Sequence, residues 1–202
     1  MIKLLFDWAN LITSLGLILG TSSIILSINS HFILAMLTML VAVCCDVFDG
    51  MVARKFREKK SNFQDKLGVQ LDSLADLIHS GVAPGVFVYT ILDSNDLFTL
   101  SLVFYIVFCC FLRLAYFNCV GLNDKGFFYG LPVFYSPMIL SITFLINISL
   151  NSNIFFYIFS LIVPTLMVIT SLRVKKLTQG LAFYLFTVVL LSLVTIYGFM
   201  MF

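Results

Sequence analysis

The chain has 202 residues, of which 61% are hydrophobic, 11% are charged and 22 are Phe. So apolar a chain cannot present a water-soluble surface, and without a soluble domain nothing carries a nucleic-acid-binding role, whatever the net charge of +2. Lipid leaves every backbone polar group to find an internal partner, and the long apolar runs do not alternate, so an all-α polytopic membrane bundle is predicted rather than a barrel.

Residues 1–8 mix apolar side chains with Lys3, Asp7 and Trp8, which suits a short helix lying in the headgroup region. The first span, about 9–28, carries Asn10 and Thr13 near its start; taken alone, these read as polar residues of a helix interface. Its apolar run passes Gly16 and Gly20 without a small-residue cleavage site, so it is expected to remain as a span. The second span, about 32–54, holds Asp46 and Asp49 towards its end, followed by Gly50, Ala53 and Arg54. A basic linker, Lys55 to Lys66, leads to the third span, about 67–92, with Gly68, Asp72 and Asp76 in its first turns and Pro84, a predicted kink, further on. The fourth span, about 97–117, ends in Arg113-Leu114-Ala115-Tyr116-Phe117-Asn118, and Tyr129-Gly130-Leu131-Pro132 follows a short connection. The fifth and sixth, about 131–150 and 154–172, contain no charged residue before Arg173, and a seventh covers about 181–202. All 12 Lys and Arg fall at Lys3, Arg54–Lys66, Arg113–Lys125 or Arg173–Lys176, while the connections around Asn29, Asp93 and Asn151 have none. This positive-inside asymmetry predicts that the N-terminus and the acidic residues face the cytoplasm. The 5 cysteines lie in or beside apolar segments without metal-ligand spacing and read as small packing residues.

The chemistry is concentrated in 46–76. Ionisable residues inside a span are costly and mark an ion, substrate or proton site. Asp46 and Asp49, and Asp72 and Asp76, are spaced to share a helix face, so two helices present two acidic pairs to each other. Carboxylates that close cannot all ionise comfortably without a cation, and oxygen-only ligation suits Mg²⁺ or Mn²⁺, with Ca²⁺ also admissible. The other reading of paired intramembrane carboxylates, an ion-coupled transporter, usually has them at the midplane on broken helices within repeats, and this chain shows no internal repeat.

Asp46-x-x-Asp49-Gly50-x-x-Ala53-Arg54, followed by Gly68-x-x-x-Asp72-x-x-x-Asp76, resembles the signature of the CDP-alcohol phosphotransferases, integral membrane enzymes of phospholipid synthesis. One departure is the spacer of thirteen residues between Arg54 and Gly68, longer than the family's usual one. The resemblance implies a six-helix core, here residues 1–176, with 177–202 as an additional transmembrane helix, in an enzyme of the cell membrane that is commonly a homodimer. It implies one or two divalent ions held by Asp46, Asp49, Asp72 and Asp76, with Asp76 also the general base. It further implies a nucleotide and diphosphate pocket at Asn10, Thr13, Gly50, Ala53, Arg54 and Gly68. Leu71–Asp76, Gly81-Val82-Ala83-Pro84, Arg113–Asn118 and Tyr129–Val133 resemble the serine-using branch, with Tyr116 where that branch has Arg and with Ile78-His79-Ser80 replacing a usual Ser-Phe pair. The implied reaction transfers the phosphatidyl group of CDP-diacylglycerol, or the equivalent group of CDP-archaeol, to L-serine, giving phosphatidylserine and CMP. Arg113 and Asn118 are the implied acceptor-binding residues. Glycerol 3-phosphate or an inositol phosphate is the alternative acceptor. Outside the resemblance Arg54 and Arg113 also fit as interfacial, snorkelling cations, and His79 as a hydrogen-bonding helix contact.

Overall fold

The computed structural model describes residues 8–56, 62–94, 96–121, 126–175 and 181–201. They form helices α1 (Trp8–Ile28), α2 (Phe32–Phe56), α3 (Asn62–Asp76), α4 (Ala83–Leu92), α5 (Leu97–Val120), α6 (Tyr135–Leu150), α7 (Ile154–Val168) and α8 (Leu181–Phe199). A π-helical segment, Leu77–Val82, joins α3 to α4 without a break. Among the described residues, four stretches are long and apolar enough to cross a membrane: Trp8–Ile28, Phe32–Val52, Lys66–Leu92 and Leu97–Val120. With 16 and 15 residues, α6 and α7 are shorter; at 1.5 Å per residue they reach about 24 Å, less than a hydrocarbon core of roughly 30 Å.

The burial pattern of α1 inverts that of a soluble helix. Its buried stripe is Ala9, Asn10, Thr13, Gly16, Gly20, Ser23 and Ser27, whereas Leu11, Leu15, Ile18 and Ile25 are exposed. Small residues let α1 lie close along α2, and Ser23 Oγ donates to the Ala35 carbonyl at 2.8 Å. This is how helices associate where lipid is as apolar as leucine. The larger apolar residues form the centre of the bundle, where Phe87 meets Phe32 and Phe144 edge-on with ring centroids 5.5 and 5.2 Å apart. Described residues of α8 join the same centre: Leu190, Leu193 and Tyr197 are buried, and Tyr197 donates to the Ser141 carbonyl at 2.6 Å while stacking on Phe144.

Where Pro84 is expected to kink the third span, the helix widens into the π segment. Proline has no N–H to give the Ser80 carbonyl, and just before it the Ala83 N–H bonds to Ile78, one residue further back than in an α-helix.

Two short strands were not legible as such in the sequence. β1 (Phe127–Tyr129) pairs antiparallel with β2 (Arg173–Lys175), with Tyr129 opposite Arg173. They tie the connection after α5 to the one after α7. Gly130 closes this join at φ +81°, donating to the Leu172 carbonyl at 2.8 Å, and a Cβ there would collide with the Met167 carbonyl. Gly130→Ala is therefore expected to destabilise the protein by about 1–3 kcal/mol, through both positive φ and the collision. A thermal unfolding curve in detergent checks it, and an unshifted midpoint refutes it.

Candidate active site

Two helices supply the acidic residues. Asp46 and Asp49 stand one turn apart near the end of α2; Asp72 and Asp76 stand one turn apart on α3, and both helices pack against α1. Among the described residues, Asp46, Asp49 and Asp72 bring one carboxylate oxygen each to within 4.8 Å of one another. Asp76 is outside that group of three but within electrostatic reach of Asp46, as are Asp72 and Asp49. An all-oxygen set at this separation fits a hard divalent cation, because the like charges that crowd the site are what such an ion neutralises.

α1 forms the next wall. Thr13 Oγ1 hydrogen-bonds Asp49 Oδ2 and the Ala9 carbonyl, so the threonine hydroxyl orients a carboxylate of the cluster. Asn10 is buried, and its Oδ1 would lie 3.5 Å from a Cβ at Gly68, which places these two predicted residues together. Gly50, by contrast, has nothing within 4 Å of the position a Cβ would take. Its missing side chain leaves open space beside the carboxylates. Ala53 and Arg54 continue α2 beyond it; their side chains lie outside the described residues, as does the linker 57–61.

Arg113 and Asn118 separate. Asn118 Nδ2 donates to Ser73 Oγ at 2.9 Å, so it sits next to Asp72 along α3. Arg113, only 4% exposed, donates from Nε to the Leu131 carbonyl at 3.2 Å and lies over the rings of Phe117 and Phe128, at 5.7 and 5.8 Å. It lines a cavity of about 450 Å³ together with Leu112, Tyr116, Tyr129, Met167 and Thr170. The cavity and the cluster are joined through α5: Cys110 is one turn from Arg113, and its Sγ would be 2.9 Å from a Cβ at Gly81, in the segment after Asp76. The cysteines are all unpaired thiols, with Cys45, Cys109 and Cys110 buried as packing residues and Cys119 exposed.

Two residues that the sequence names take their partners only from the structure. His79 points Nε2 at Asp76 Oδ1, 3.3 Å away, a contact that the three-residue spacing on one helix was able to suggest. Tyr129 reaches the cavity only through the β1–β2 pairing, for which three-residue strands give no usable periodicity.

The sequence pattern of the CDP-alcohol phosphatidyltransferases matches residues 6–202. An archaetidylserine synthase of Methanothermobacter thermautotrophicus is 36% identical over 124 residues, 61% of this chain and 52% of the relative. CDP-diacylglycerol–serine O-phosphatidyltransferases of Helicobacter pylori and Methanocaldococcus jannaschii are 32% and 34% identical over 132 and 134 residues, which are 64% and 65% of this chain and 53% and 57% of theirs. The chain thus spans about half the length of the curated relatives it matches.

Proposed function

The chain belongs to the CDP-alcohol phosphatidyltransferase family, and from that premise we propose that it transfers the phosphatidyl or archaetidyl group of a CDP-activated lipid to L-serine, releasing CMP. The observation that carries this reading is the convergence of Asp46, Asp49 and Asp72 from two helices on one point. The names of the three relatives, all serine-using, support the acceptor.

In this reading Asp46, Asp49 and Asp72 hold Mg²⁺ or Mn²⁺, which when bound offsets the charge of the diphosphate and of the leaving CMP. Thr13 keeps Asp49 in its rotamer. The nucleotide lies along Asn10 and Gly68 and over the open face at Gly50, with Arg54 beside its phosphates. Asp76 takes the proton of the serine hydroxyl as that oxygen attacks the lipid-side phosphorus in line with the departing CMP oxygen. Arg113 meets the serine carboxylate from the cavity, its planar fork matching two oxygens, and Asn118 closes that side through Ser73. The site lies at the cytoplasmic face, a reading that the basic connections support, so that the lipid's tails stay in the bilayer while CDP and serine remain in water. As the resemblance implies, two copies form a dimer.

The test is CMP release from CDP-diacylglycerol by the protein in detergent or nanodiscs with Mn²⁺ or Mg²⁺, offering L-serine, glycerol 3-phosphate or an inositol phosphate. Release that requires both serine and the ion is expected. Release with either phosphorylated acceptor, but not with serine, sinks the serine assignment.

A further inference from the structure

The segment after Asp76 holds a second titratable group against the carboxylates. His79 is 1% exposed, with Nε2 3.3 Å from Asp76 Oδ1 and Nδ1 2.9 Å from Ser80 Oγ. Ser80 is wholly buried, and among the described residues its hydroxyl meets no partner other than that ring nitrogen. A buried hydroxyl with one partner must donate to it; accepting instead would leave its own proton unpaired away from water, at a cost of about 1–3 kcal/mol. Nδ1 is then the acceptor, which puts the ring proton on Nε2, facing Asp76. Asp76 Oδ1 is buried and, among the described residues, otherwise lacks a hydrogen-bond partner.

The surroundings hold this arrangement from both sides. A Cβ at Gly20 would lie 2.7 Å from the Cβ of His79 and 3.1 Å from its Cα, so α1 runs directly against the histidine backbone. On the other side α5 presses Cys110 onto Gly81. The π segment that carries His79 begins at the residue after Asp76, and such wide turns recur at functional sites.

We propose that His79 is a positioning residue for the transfer reaction: locked in its Nε2–H tautomer by Ser80, it engages Asp76 Oδ1 and holds that carboxylate in one rotamer within the acidic cluster. This rests on the reading of Asp76 as the general base. The histidine touches neither substrate and passes no proton.

Steady-state kinetics of His79→Phe and His79→Gln test it. Phe keeps a ring but no N–H, while Gln brings an amide N–H to the position of Nε2. His79→Phe is expected to lower kcat about ten-fold, as loss of a supporting hydrogen bond behind a functional group typically does, with KM for both substrates unchanged. His79→Gln should restore most of the loss. Equal kcat in all three proteins, or equal losses in the two variants, overturns the proposal. Asp76→Asn separates this from the parent reading: an active Asp76→Asn refutes the base and the positioning role together, whereas an inactive one beside an unimpaired His79→Phe refutes only the latter. Should His79→Phe not fold, ¹⁵N-histidine NMR of the unmodified protein decides, since His31 is the only other histidine. An Nε2–H tautomer is expected for the buried ring, and an Nδ1–H or doubly protonated ring overturns the assignment.

Discussion

Asp76→Asn is expected to lower CMP release by about 10³-fold, within the range that a positioned general base contributes, and to do so without loss of ion binding. The reason is geometric. Asp46, Asp49 and Asp72 bring one oxygen each to within 4.8 Å of one another, and Asp76 lies beside Asp46 with Oδ1 against His79. Asn keeps the shape of Asp and both hydrogen-bonding positions but cannot take a proton. The fold should survive, because one like charge is removed from a site that already holds three. A rate within ten-fold of the parent would mean that the serine hydroxyl loses its proton elsewhere. Loss of ion binding together with rate would make Asp76 a ligand first.

The second large effect is expected at Asp72, which alone brings α3 into the three-carboxylate group; the other two members are both on α2. At separations of no more than 4.8 Å, each pair of ionised carboxylates would repel by at least about 3 kcal/mol at an effective dielectric constant near 20. A bound divalent ion converts that repulsion into a link between the helices. With the ion at a hundred times its Kd, the parent protein should gain about 2.7 kcal/mol of stability, seen as a higher unfolding temperature than in chelator. Asp72→Asn should remove most of that ion-dependent gain and nearly all CMP release. In chelator it should unfold no earlier than the parent, since the substitution takes away a repulsion. The opposite pattern, a variant weaker in chelator but still stabilised by Mn²⁺, would show that Asp72 serves the fold and that the ion sits elsewhere.

Much of this site was legible before any coordinates. The three-residue and four-residue spacings put each acidic pair on one helix face because α-helical geometry does so wherever the helix lies. Spacing does not say how the four carboxylates meet across helices: Asp46, Asp49 and Asp72 bring oxygens within 4.8 Å of one another, and Asp76 lies beside Asp46 with Oδ1 against His79. Nor does it distinguish Arg113 from Asn118. They lie five residues apart on α5, but one faces a cavity walled by β1 and α7 and the other faces Ser73 on α3.

The sequence by itself determined the all-α membrane class of the protein, the basic connections and the acidic motif, because each rests on local quantities: hydropathy over a window, charge between windows and residue spacing along one helix. Only the tertiary structure decided what meets across helices. Thr13 reaches Asp49 because small residues let α1 lie close along α2. Arg173 faces Tyr129, although the basic run around it reads equally well as topogenic charge, because two short connections happen to pair. His79 is held at Asp76 by Gly20 from one helix and Cys110 from another. Such contacts join residues dozens of positions apart, and no periodicity along the chain encodes them, since their energy exists only once the helices have packed.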